Sequence, residues 1–211
     1  GTTDFARKSL AHNENYRKIH DLTLSNVGIG TYLGNSDLET DIQQKNAIKQ
    51  SISHGVNVID TAINYRAQKS ERTVGKAVSE LIEEGQINRS EIFISTKNGY
   101  VTNDADIQED FMAYIMREFG KTKIVKEGDI SAQYNCMTVP FLEDQLARSQ
   151  KNLGLDCIDL MYLHNAVEGQ PQMPRDEFIV HLKSVFEFFE KQRKEQKIRF
   201  YGLATWECFR V

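Results

Sequence analysis

No apolar run in this 211-residue chain approaches the ~20 residues that a membrane-spanning helix needs. The opening Gly1-Thr2-Thr3-Asp4-Phe5-Ala6-Arg7 also lacks the basic-then-apolar order of a secretory signal. Cysteine is scarce: Cys136, Cys157 and Cys208 are odd in number and show no CxxC spacing. Reduced thiols in a cytoplasmic setting are therefore expected, not a disulfide framework. The five histidines are dispersed, with no HExxH and no Cys/His cluster, so no metal site is expected. An excess of basic charge is missing too. The formal net charge of -4 argues against nucleic acid or a membrane surface as partner, because phosphate surfaces recruit basic patches. Gly28-Ile29-Gly30 lacks the third glycine of a dinucleotide fingerprint and no capped helix follows at once, which disfavours a Rossmann fold. What remains, 40% hydrophobic and 27% charged, is ordinary for a globular chain able to bury a substantial core.

What is present is a rhythm of apolar runs that each end on a polar residue. Val56 to Ile59 ends at Asp60, Ile92 to Thr96 at Lys97, and Ile158 to Leu163 at His164, while Tyr201-Gly202-Leu203 runs into Ala204-Thr205. Helix-patterned segments lie between them. Ser36 or Asp37 is placed to cap a helix reaching about His54, with Ile42, Ala47, Ile48 and Ile52 inward and Gly55 at its end. Ser70 is placed to cap a second, with Val74, Ala77, Val78, Leu81 and Ile82 at helical spacing before Gly85. Pro140 opens a third that closes on Gly154. A fourth, from about Asp176, carries Phe178, Ile179, Leu182, Val185, Phe186 and Phe189, and strand five follows at Ile198 to Ala204. Ile19 to Gly30 alternates around Ser25-Asn26, which suits a hairpin leading into a first strand, Val27 to Gly30.

Repeated β/α units with short connections give a parallel sheet, either a barrel or a doubly wound sheet; the expected fold is α/β, a (β/α)8 TIM barrel. A closed barrel typically takes about 250 residues. The chain stops at Val211, after its fifth strand, so about five of the eight units are expected here. Residues 1–17 read as a loose N-terminal arm and 18–211 as the partial barrel. An insertion at 98–139 carries a stripe of Ile107, Phe111, Ile115 and Phe119, followed by Lys121, Lys123 and Lys126. It is a lid over the active rim, an extra helix packed on the barrel edge or an oligomer contact; the stripe favours one of the latter two.

All strand C-termini of such a barrel share one rim, so an acid, a lysine and a histidine from three strands would meet there. Asp60 precedes Tyr65 by one short loop. A tyrosine is a poor acid at its ordinary pKa of ~10. An adjacent Lys97 ammonium would lower that pKa, Asp60 would hold the lysine in place, and His164 would hydrogen-bond a substrate oxygen. The set suits proton delivery to a carbonyl while a hydride arrives from a cofactor. Taken singly, each has a plainer reading: Asp60 as a loop cap, Lys97 as its ion-pair partner, His164 as a rim histidine and Tyr65 as a loop aromatic.

Val58-Ile59-Asp60-Thr61-Ala62-Ile63-Asn64-Tyr65, then Ser70-Glu71 and Val74-Gly75, then Ile94-Ser95-Thr96-Lys97, resemble the aldo-keto reductase family. So do Leu153 to Leu160 and Leu163-His164, in the family's order. The resemblance implies an oxidoreductase that uses NADPH to reduce an aldehyde or ketone, with Tyr65 as general acid, Lys97 and Asp60 as its tuning pair and His164 orienting the substrate. It implies that Gly30, Thr31, Tyr32 and Asp60 touch the cofactor near its nicotinamide. Two departures stand out. The family's Gly-Val-Ser-Asn stretch on strand five is Gly202-Leu203-Ala204-Thr205 here, so one carboxamide clamp is lost; Thr205 would keep part of the other, and Asn165 would compensate. The family's phosphate site lies on later strands, so this stretch alone is expected to bind NADPH poorly. The alternative is a catalytically weak barrel acting as a nucleotide-binding regulatory or interaction subunit. Oligomeric state is left open.

Overall fold

A computed structural model describes residues 1–9 and 13–207; Cys208 lies outside them. Five strands, β3 (Ile29–Gly30), β4 (Val58–Asp60), β5 (Phe93–Asn98), β6 (Ile158–His164) and β7 (Ile198–Ala204), form one sheet in chain order with every neighbour parallel. Three of the crossovers are helices α2 (Leu38–Ser53), α3 (Lys69–Glu83) and α5 (Val139–Leu153), and the last is α7 (Arg175–Lys194). This is the expected β/α order.

Each helix forms for a local reason. The Asp37 carboxylate accepts from the Thr40 backbone N–H at 2.8 Å and caps α2, satisfying one of the donors a helix start leaves free. Gly154 ends α5 in a left-handed conformation, φ 66°, which a side chain would resist. The inward stripes join a continuous core that includes Ile48, Val74, Leu81, Phe141, Leu142, Val185 and Phe189. Along β5 the side chains alternate: Ile94 and Thr96 face the helices, while Ser95 and Lys97 face the other side. That second face carries the polar strand ends.

Several expectations need correction. Within the expected loose arm, Thr2–Lys8 forms an ordered helix, α1: Phe5 and Ala6 are buried, and the Lys8 ammonium pairs with Glu91 at 2.5 Å. That contact bridges residues too distant in sequence for local patterning to reveal. The hairpin turns at His20-Asp21, between β1 (Tyr16–Ile19) and β2 (Leu22–Ser25), not at Ser25-Asn26. Ser25 instead donates its N–H to the Asn57 side chain at 2.8 Å, which ties the hairpin to the N-terminal end of β4. Val27 is exposed, so the first barrel strand is only Ile29–Gly30. Ile42 and Ala47 are exposed as well, because the α2 stripe narrows to Ile48 and Ile52. Ser70 lies inside α3 rather than capping it, and its hydroxyl donates to the Thr31 carbonyl at 2.8 Å.

The 98–139 insertion packs as a short helix, α4 (Phe111–Ile115), continued by a π-turn to Gly120. Phe119 is buried with its ring 5.3 Å from that of Phe141, so the stripe serves packing, although Ile107 at its start is exposed. The insertion's far end reaches β6, where the Asn135 amide donates to the His164 carbonyl at 3.1 Å. The short α6 (Ala166–Gly169) follows directly. Among the described residues, Cys136 and Cys157 are free thiols, no helix is long and apolar enough to cross a membrane, and no His/Cys/Asp/Glu group could hold a metal.

Gly75 marks a close contact between α3 and α5. A Cβ there would sit 2.7 Å from the carbonyl oxygens of both Asn152 and Leu153, backbone atoms of α5 that cannot rotate away. Gly75→Ala is expected to destabilise the protein by about 1–3 kcal/mol in urea unfolding, through forced separation of α3 and α5; an unchanged midpoint would show the contact to be looser than described.

Candidate active site

The C-terminal ends of β4, β5 and β6 bring Asp60, Lys97 and His164 to one rim, with Tyr65 entering from the loop after β4. Lys97 is the hub. Its side chain is 8% exposed, and the ammonium donates to Asp60 Oδ2 at 2.5 Å, the Thr61 carbonyl at 2.8 Å and the Tyr65 hydroxyl at 3.2 Å. An ammonium has three donors, and each has an acceptor. Ser95 fixes the other carboxylate oxygen, donating to Asp60 Oδ1 at 2.7 Å. The Tyr65 oxygen accepts from Lys97, which leaves its own proton to be donated elsewhere.

Burial and charge set the protonation states. The Tyr65 phenol is pushed up to about 12, first by burial and then by the Asp60 carboxylate. The phenol therefore moves up, where proximity to Lys97 alone predicted a fall, because burial dominates. Burial also lowers Lys97 from the ordinary lysine value, against the pull of Asp60. His164 is driven down to about 3 by burial, with the Lys97 charge adding to the effect, so its imidazole is neutral at ordinary pH. Its ring stands edge-on to Tyr65 at 5.8 Å and to Tyr100 at 5.0 Å, and its buried Nδ1 has no protein partner.

The residues expected near a cofactor divide. Above Gly30 the space is open, with no atom within 4 Å of where a Cβ would lie, and Tyr32 is two-thirds exposed beside Tyr65, ring centroids 5.0 Å apart. Asp60 keeps 40% of its side chain exposed on the same rim. These surroundings fit a flat aromatic group laid across the strand ends. Thr31 does not face that space: it is buried, and its hydroxyl donates to Thr61 Oγ1 at 2.8 Å. The Thr205 hydroxyl donates to the Glu168 carboxylate at 2.7 Å, where the Trp206 and Glu207 N–H groups also end. Asn165, in the amide orientation that satisfies both neighbours, donates to the Ala204 carbonyl at 3.1 Å and accepts from the Trp206 indole at 3.2 Å. Thr205 and Asn165 thus secure the exit of β7.

Sequence reading missed Ser95, Thr61, Tyr100, Asn135 and Glu168. Ser95 was within reach, since two residues before Lys97 on a strand means the same face. The lysine contact of Thr61 is made by backbone, Tyr100 and Asn135 arrive through the insertion and Glu168 through the short α6, so no spacing announces them.

A sequence model of the aldo/keto reductase family matches residues 26–211. The chain belongs to that family. It is 28% identical over 191 residues to an NADH-specific methylglyoxal reductase of Escherichia coli, covering 88% of this chain and 49% of that protein. Among solved structures, aldo-keto reductase AKR11C1 from Bacillus halodurans superposes with a TM-score of 0.61 at 23% identity, covering 90% of this chain and 50% of that one. The NADPH complex of the silkworm (Bombyx mori) aldo-keto reductase AKR2E5 does so with a TM-score of 0.56 at 25% identity, covering 89% and 46%. The chain spans about half the length of the curated relatives it matches. Its sheet is part of a (β/α)8 barrel.

The depressed pKa of His164 has a consequence for stability. The folded value, about 3, lies below the ordinary 6.5, so between them the unfolded chain binds the extra proton. The contribution of His164 is complete above about 6.5 and is lost as pH falls towards about 3. His164→Asn should therefore lose less stability than the parent across that window. Urea midpoints measured against pH check this; parallel curves would contradict it.

Proposed function

We propose that this chain forms the proton-delivery half of a nicotinamide-dependent carbonyl reductase, acting on a small aldehyde or ketone. The observation that carries the reading is the direction of one hydrogen bond. The Tyr65 oxygen accepts from Lys97 at 3.2 Å, so the tyrosine's own O–H is free to point at a substrate oxygen. Gly30, Tyr32 and Asp60 would hold a reduced nicotinamide at the rim, and that group would supply hydride to the carbonyl carbon.

The chain's residues do the rest. With its pKa near 12, Tyr65 stays protonated throughout the working range and releases its proton only as negative charge builds on the carbonyl oxygen. Lys97 then faces a forming phenolate across a bond already made, and the local field needs little reorganisation. Asp60, anchored by Ser95, keeps the ammonium in place. A neutral His164 offers an N–H to the substrate oxygen without contesting the proton transfer. Asp60 belongs to both sets in this reading, as anchor of Lys97 and as the edge of the cofactor platform formed with Gly30 and Tyr32.

NADPH is the first cofactor to test, on the family resemblance and the NADPH-bound silkworm relative; the NADH-specific bacterial relative makes NADH the necessary comparison. One observation favours the second reading, a nucleotide-binding barrel without turnover. Ala204 carries no polar side chain and Thr205 bonds to Glu168, so the side-chain clamps the family places there are weakened.

In the protein as it occurs natively, Tyr65→Phe should lower kcat by about 10²–10⁴-fold while nicotinamide binding, read by fluorescence quenching, is retained. Undiminished turnover would remove Tyr65 from the mechanism. Cofactor quenching with no reduction of any aldehyde or ketone by the unmutated protein would favour the regulatory reading.

A further inference from the structure

Directly after Tyr65 the backbone enters an unusual stretch: Arg66, Ala67 and Gln68 hold φ values of 52°, 50° and 75°, all left-handed and none of them glycine. Such a run persists only where its surroundings over-determine it. Arg66 supplies much of that constraint. Its side chain is 1% exposed, and its guanidinium reaches four acceptors on one neighbouring segment. Nε donates to the Asn35 carbonyl at 2.6 Å and Nη1 to Gln44 Oε1 at 3.0 Å, while Nη2 donates to the Asp37 carbonyl at 3.1 Å and to Asp41 Oδ1 at 2.5 Å. The Gln44 amide continues the chain of bonds, donating to the carbonyls of Thr31 and Leu33 at 3.0 Å each.

Two of these acceptors, the Asn35 and Asp37 carbonyls, lie on the loop between β3 and α2, which carries Tyr32, and the other two, Asp41 and Gln44, lie on the first turns of α2. The Tyr32 ring meets Tyr65 edge-on, 5.0 Å away. Tyr65 is thus bounded by Lys97 on one side and Tyr32 on the other, and the loop bearing Tyr32 is fastened to the residue that follows Tyr65. We propose that Arg66 is a positioning residue for proton transfer: it locks the Tyr65 loop to the Tyr32 loop and so fixes the Tyr65 hydroxyl against Lys97. This rests on Tyr65 being the proton donor. A planar fork is needed, because the four acceptors lie in different directions and a lysine offers three donors from a single atom. Removing the guanidinium does not orphan Asp41, which also pairs with Lys69 at 2.9 Å.

The test is a double-mutant cycle in the full native protein, with steady-state carbonyl reduction as readout. Arg66→Lys should lower kcat by about 10–100-fold, as expected for a displaced catalytic group, with KM for the carbonyl changed by less than about threefold. In a Tyr65→Phe background the same substitution should cost almost nothing further, since the group it positions is gone. A merely structural residue would cost the same factor in both backgrounds, or would raise KM alone, and either result overturns the proposal. Full turnover by Tyr65→Phe alone signals instead that the underlying reading has failed. If Arg66→Lys does not fold, Gln44→Leu, which cuts the same bond network at its next link, should show a smaller loss with the same non-additivity. Gln44→Leu with undiminished kcat would overturn the proposal.

Discussion

A buried ammonium is costly unless every donor is matched, and Lys97 meets that demand with a carboxylate, a backbone carbonyl and a phenol. Those acceptors come from β4 and the loop after it, so the lysine can be satisfied only if β5 lies parallel to β4 in the observed register, Asp60 opposite Ser95. The sheet thereby fixes the site and the site reports on the sheet. A shift of one residue would carry Lys97 to the helix side, away from Asp60 and Tyr65.

The helix side of β5 has its own buried polar arrangement one residue earlier. Thr96 donates to the Glu71 carboxylate at 2.6 Å and the Asn152 amide donates to it at 2.9 Å, joining β5 to α3 and α5. Burial raises the Glu71 pKa, so the same interior that lowers Lys97 also resists a second charge behind it. At the opposite end, α1 and the β1–β2 hairpin cover the strand starts, with the Tyr16 hydroxyl donating to the Gly55 carbonyl at 2.8 Å.

Much of this was legible in the chain. The β/α order, the helix-ending glycines at 85 and 154, and the polar residue at each strand end follow from local patterning, and the convergence of Asp60, Lys97 and His164 follows from parallel strands alone. Long-range contacts were not legible. Phe5 looked like part of a loose arm because its core partners lie far along the sequence. The hairpin turn was misplaced because Asn57 holds Ser25 across a gap no pattern marks. Thr31 and Thr205 sit where cofactor contacts were expected, yet their hydroxyls meet Thr61 and Glu168. The rise of the Tyr65 pKa was missed for a different reason: residue types say which charges are near, but only burial says which effect wins.

The most direct measurement is the titration of Lys97 itself, followed by the carbon-13 shift of its ε-methylene. A midpoint below the ordinary 10.5 is expected, because burial outweighs the carboxylate, and Asp60→Asn should move it lower still by removing the opposing charge. A midpoint at or above 10.5, indifferent to Asp60, would describe a solvated lysine outside any such pocket and would contradict the arrangement on which the site depends.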